Sequence, residues 1–63
     1  AAMPELSLQL LELARERGRL TVADAVTVTG ANRNTVKLHL RKLVEAGHFT
    51  QYGAGRGVWY GLA

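Results

Sequence analysis

The stretch Asn32–Tyr60, NRNTVKLHLRKLVEAGHFTQYGAGRGVWY, constrains the fold of this chain more than any other segment. It opens on Asn32, whose side-chain oxygen can accept from the unpaired N–H groups at a helix start. Val36, Leu40 and Leu43 then recur at a spacing that lines one side of a helix, with His39 at the margin. Counting about 100° per residue puts Asn34, Lys37, Leu38, Arg41 and Lys42 on the opposite side. Gly47 is placed to take the left-handed conformation that ends a helix. Beyond it, residues 48–52 and 58–62 are rich in β-branched and aromatic types and flank Gly53-Ala54-Gly55-Arg56-Gly57. That pattern predicts an antiparallel hairpin with a five-residue loop. A helix over 32–46 and a short hairpin must then share one small core.

The rest of the chain supplies two more helices. Pro4 suits a first helical turn, because its missing N–H would be unpaired there anyway. Leu6, Leu10 and Leu13 follow at helical spacing and Gly18 closes the segment, which predicts a helix over about 4–17. Leu8 and Leu11 lie off that stripe and either fill a second core contact, the favoured reading, or face a partner. Arg19-Leu20 reads as a short extended piece. Thr21, with Asp24 three residues on, approximates a capping box for a helix running to about Val28. Its Val22, Val26, Thr27 and Val28 are weak helix formers, so packing must hold it. Thr29-Gly30-Ala31 makes the turn into the third helix. The expected core joins Leu6, Leu10, Leu13, Val22, Val26, Val36, Leu40, Leu43 and Phe49. Trp59 and Tyr60 alternate in direction, so one belongs to that core and the other is partly exposed.

Length bounds the answer. Sixty-three residues make one domain, read here as a fragment of a larger protein, with residues 1–3 an added or disordered start. A chain this short buries only about 60% of its unfolded surface, so it must be compact to fold alone. It has no cysteine, hence neither a disulfide nor a thiolate metal site. No secretory signal is present, and no apolar run nears the roughly 18 residues that span a bilayer. The expected location is the cytoplasm.

Charge points to the partner. The net charge is +3, unevenly spread. Residues 1–31 hold three arginines against four acids, a net of −1; residues 32–63 hold Arg33, Lys37, Arg41, Lys42 and Arg56 against Glu45, a net of +4. Such asymmetry suggests a polyanion, although a basic helix face can also simply be solvated. Catalytic chemistry is not supported. His39 and His48 have no carboxylate cluster, Ser7 is the only serine, and the glycine-rich loop lacks the GK[ST] ending of a phosphate-binding loop. The chain is expected not to be an enzyme, with no metal site and no small-molecule ligand.

The second and third helices with their short turn form a helix-turn-helix unit, whose second helix commonly enters the DNA major groove. In that role Asn34 suits adenine, and Arg33 suits guanine or a phosphate. Lys37, Arg41 and Lys42 suit phosphates, and Leu38 a thymine methyl or a neighbouring subunit. The glycines around Arg56 either simply satisfy turn geometry or let the loop tip approach a phosphate or enter a minor groove, where Arg56 supplies charge, the favoured reading. The order helix, short strand, helix, helix, strand, loop, strand resembles the winged helix-turn-helix superfamily over nearly the whole chain. TVADAVTVTGANRNTVKLHLRKLVEAGHF is similar to that superfamily's central block. GAGRGVWYGL is similar to the wing of small C-terminal modules of Fic-type proteins and Schlafen-like ATPase regulators.

The resemblance implies an α+β fold with three helices, a small antiparallel sheet and a glycine-rich wing at 53–57. It implies double-stranded DNA binding by the third helix and wing, as in a transcriptional regulator, and no cofactor. Trp59 also resembles the tryptophan in the last strand of Z-DNA-binding domains. Those domains carry asparagine and tyrosine where this helix has Lys37 and Arg41, and a proline pair where this wing has Arg56-Gly57, so Z-form recognition is not expected. Related winged helices of the selenocysteine-specific elongation factor bind an RNA hairpin, which keeps RNA open. The rival reading is a protein-interaction or dimerisation module, a homodimer or a contact with adjoining domains of the parent protein, for which exposure of Leu8, Leu11 and Leu38 would speak.

Overall fold

The computed structural model describes residues 4–53 and 55–63, with the backbone alone at Arg56. In chain order it has α1 (Glu5–Arg17), α2 (Val22–Thr29), α3 (Arg33–Glu45), β1 (Phe49–Tyr52), a single 3-10 turn (Gly55–Gly57) and β2 (Trp59–Leu62). The fold is an α+β winged helix-turn-helix.

Local signals set each boundary. Thr21 Oγ1 accepts from the Asp24 N–H at 3.1 Å and opens α2. Asn32 Oδ1 accepts from the Asn34 N–H at 2.8 Å and opens α3. α2 runs one residue further than expected because Thr29 bonds both ways: its hydroxyl donates to the Ala25 carbonyl at 2.6 Å and accepts from the Ala31 N–H at 3.2 Å. At the end of α3 the Gly47 N–H donates to the Val44 carbonyl and the His48 N–H to the Leu43 carbonyl, with Gly47 at φ 87°. This paired closure needs a left-handed residue between helix and strand, which glycine supplies.

The sheet is small, with Phe49 opposite Leu62 and Tyr52 opposite Trp59. The extended piece before α2 joins it through one residue. Leu20 N–H donates to the Tyr60 carbonyl at 2.8 Å and Tyr60 N–H to the Leu20 carbonyl at 2.7 Å. β2 is therefore flanked by β1 on one side and Leu20 on the other. The strands are one residue shorter than expected at His48 and Val58, and the connection spans residues 53–58 because the 3-10 turn occupies its tip. His48 still accepts from the Ala63 N–H at 3.1 Å, just outside β1.

The core gathers Leu10, Leu13, Ala14, Leu20, Ala25, Val36, Leu40, Leu43, Phe49 and Tyr60. Leu6, Val22 and Val26, expected inside, pack against it but are only partly buried. In α2 the fully buried position belongs to Ala25, and the valines beside it reach the margin. Leu20 and Tyr60 enter the core because their pairing draws both inward. Leu11 packs on the core as favoured, whereas Leu8 is exposed. Buried Ser7 shares a hydrogen bond with His39 Nδ1 at 3.0 Å, tying α1 to α3. On the outer sheet face Trp59 stacks on Tyr52 at 4.2 Å and 16°, and the Arg19 guanidinium lies 5.5 Å from the Trp59 ring centre.

Two stability outcomes follow. Leu20→Ala should cost about 2–5 kcal/mol. A domain of this size has only about 3–9 kcal/mol in total, so urea titration should find most of that stability gone. At Gly53 a Cβ would meet the Gly57 carbonyl oxygen at 2.6 Å, on top of a φ of 75°, whereas Gly47 shares the left-handed φ but has open space around it. Gly47→Ala should therefore cost about 1–2 kcal/mol, and Gly53→Ala measurably more in thermal unfolding.

Candidate nucleic-acid interface

α3 buries Val36, Leu40 and Leu43 and leaves Arg33, Asn34, Lys37, Leu38, Arg41 and Lys42 exposed. Five of these six line one open groove of about 840 Å³. α3 is one wall, from Arg33 through Asn34, Lys37, Leu38 and Arg41 to Val44 and Glu45. Thr21, Val22 and Ala23 at the start of α2 contribute to it, and the hairpin supplies Gln51, Gly55, Val58 and Tyr60. The wing reaches this groove because Leu20 anchors β2 beside the start of α2. Lys42 is exposed but does not line the groove. It follows Arg41 by one residue, about 100° round the helix, which carries it off the stripe.

The electrostatics are simple. Among the described residues the one salt bridge joins Arg17 to Asp24, at 3.7 Å between exposed side chains. Arg33, Lys37 and Arg41 therefore face solvent along the groove without an acidic partner among those residues, and Glu45 is the single acid that lines it. Asn32 and Thr21 spend their side-chain acceptors on helix caps. The side chain of Asn34 makes no hydrogen bond within the described residues. Arg56 sits in the turn at the wing tip by its backbone, and its side chain lies outside what is described, as does Ala54.

Leu38 is 48% exposed and lines the groove. Trp59 and Tyr52 pack on each other on the far side of the sheet and do not line the groove. Ser7 and His39 meet, a contact that sequence spacing did not reveal, but Ser7 is only 4% exposed and so cannot meet a substrate. Among the described residues no three His, Cys, Asp or Glu side chains group closely enough to hold a metal ion. No helix among them is long and apolar enough to cross a membrane.

Gln51, Val58, Tyr60 and Glu45 were not singled out as groove residues from sequence. The hairpin register brings Gln51 opposite Tyr60, and alternation then puts both on one face. Which face meets α3 depends on the packing of Phe49 and Tyr60, not on any local signal.

Solved structures similar to this chain include two crystal structures. One is the DIP2311 protein from Corynebacterium diphtheriae, 29% identical, with a TM-score of 0.86 over 94% of this chain and 11% of that one. The other is described as a possible transcriptional regulator for arsenical resistance, 33% identical, with a TM-score of 0.81 over 94% of this chain and 62% of that one. This chain thus spans less than two thirds of either protein. No curated protein matches it significantly. Residues 3–60 match the family described as bacterial protein of unknown function (DUF977), and the chain belongs to that family.

Proposed function

We propose that this domain binds double-stranded DNA, with α3 in the major groove and the wing on the flanking backbone, as the recognition module of a cytoplasmic transcriptional regulator. One observation carries the reading. Arg33, Lys37 and Arg41 stand along one groove without acidic partners among the described residues, on the helix that a winged helix-turn-helix presents to DNA. The likeness to a possible transcriptional regulator supports it. Within this reading Lys37 and Arg41 hold phosphates and Lys42 extends the backbone contact beyond the groove. Asn34 reads adenine, Arg33 reads guanine or holds a phosphate, Leu38 meets a thymine methyl, and Arg56 reaches the backbone from the wing tip. The likeness of the wing to Fic-type and Schlafen-like modules concerns the parent protein and adds nothing to this mode. The domain is read as a unit without cofactor or enzymatic activity of its own.

A second reading rests on the exposure of Leu8 and Leu38, at 47% and 48%, which fits a protein contact or homodimer. Sedimentation without DNA separates the two: a concentration-dependent dimer abolished by Leu38→Glu would favour it.

The primary test is an anisotropy titration with duplex DNA and with an RNA hairpin over a range of salt. Duplex binding should weaken with salt at a log–log slope of about −0.9 per phosphate contacted. Lys37→Ala and Arg41→Ala should each weaken every duplex alike and make the slope shallower by about one contact. Asn34→Ala should cost about 1–3 kcal/mol on the preferred site and little elsewhere. Equal loss on all sequences would remove Asn34 as a reader, and tighter binding to the RNA hairpin would replace duplex DNA as the partner.

A further inference from the structure

Tyr60 is in the wrong chemical form for a purely structural residue. Its ring belongs to the core, at 9% exposure, with the Phe49 ring centre 6.4 Å away and Leu20 paired to its backbone. Phenylalanine would meet those packing demands equally well. The hydroxyl makes no hydrogen bond within the described residues. Among those residues no side-chain oxygen or nitrogen is both sealed from solvent and unpartnered. The phenol oxygen must therefore reach solvent, and the surface Tyr60 helps to line is the groove between α3 and the wing. Gln51, its cross-strand partner, lines the same groove, and its amide is likewise without a partner among the described residues. Directly opposed residues on one sheet face hold their Cβ atoms about 4.5–5.5 Å apart, within reach of a single small anion.

We propose that Tyr60 and Gln51 form a neutral donor site on the groove floor that hydrogen-bonds one phosphate of the DNA backbone as it passes between α3 and the wing. This rests on the DNA-binding reading above. The chemistry matches the ligand. A phosphodiester oxygen only accepts, and the phenol O–H and the amide NH₂ both donate. Three cations on the α3 wall attract the backbone, while the floor fixes where one phosphate sits. Uncharged donors there suit a groove whose far end holds Glu45, because they add no charge for that carboxylate to pair with and so leave the floor open to the phosphate. The contact is to the backbone and not to a base edge, so it positions the domain without reading sequence.

A neutral donor leaves a distinct signature. Removing a cation removes a released counterion and changes the salt slope, whereas removing a hydroxyl does not. Tyr60→Phe and Gln51→Ala are to be compared with Arg41→Ala and the unaltered domain, on two unrelated duplexes across a salt series, with thermal unfolding of each. Tyr60→Phe should weaken binding about five- to tenfold on both duplexes, with an unchanged salt slope and an unchanged melting temperature. Gln51→Ala should do the same to a smaller extent. Equal binding by Tyr60→Phe and the unaltered domain would overturn the site while leaving the DNA-binding reading intact. So would a loss on one duplex alone, which marks a base contact, or a loss matched by a lower melting temperature, which marks a packing role. If the unaltered domain binds neither duplex, the DNA-binding reading itself falls and this site falls with it.

Discussion

The reciprocal hydrogen bonds between Leu20 and Tyr60 hold the architecture together. Leu20 follows helix α1 in the chain, and Tyr60 lies in β2, the last strand. Their pairing turns a linear order of helices followed by a hairpin into a closed unit. A two-stranded hairpin alone is marginal in water. Here it gains a third flank from Leu20 and an apolar floor from Val36, Leu40 and Leu43. Leu20 is fully buried, so the same residue that supplies the pairing also supplies apolar area to the core. With so short a chain, one such link is a large share of the cooperativity.

The groove is a consequence of that closure. β2 is pinned beside the start of α2, which places the hairpin alongside α3. The α3 wall then carries three cations, and the described hairpin residues that line the groove are uncharged. In the proposed DNA-binding mode, two kinds of binding force would be separated in space. Long-range attraction would come from the exposed Arg33, Lys37 and Arg41. Short-range geometry would come from Tyr60, whose ring is buried in the core, and from Gln51 opposite it. This division is physically sensible for a backbone ligand, because charge alone attracts without fixing register.

Not every aromatic residue serves the groove. Trp59 and Tyr52 stack on the opposite sheet face with Arg19 beside them. Gly61 lies beneath them, where a Cβ would make ordinary contact with the Tyr52 and Trp59 rings at 3.4 and 3.5 Å. The pair covers the sheet face opposite Tyr60. Ser7 and His39 meet between α1 and α3.

The sequence by itself determined the elements. Asn32, Thr21, Gly18 and Gly47 marked helix ends by chemistry that acts within a few residues, and the 3.6-residue and two-residue periods told helix from strand. Val36, Leu40 and Leu43 were recognisable as the inner face of α3, and Asn34, Lys37, Leu38 and Arg41 as its outer face, for the same reason. The tertiary structure decided what periodicity cannot encode. It chose Ala25 over Val22 and Val26 for the centre of α2, because the deepest position there takes the smaller side chain. It put Tyr60 inside and Trp59 outside, because the hairpin has two faces and only packing selects between them. It brought Gln51 and Tyr60 onto the groove. Those placements join residues far apart in the chain, and only contacts across that distance can set them.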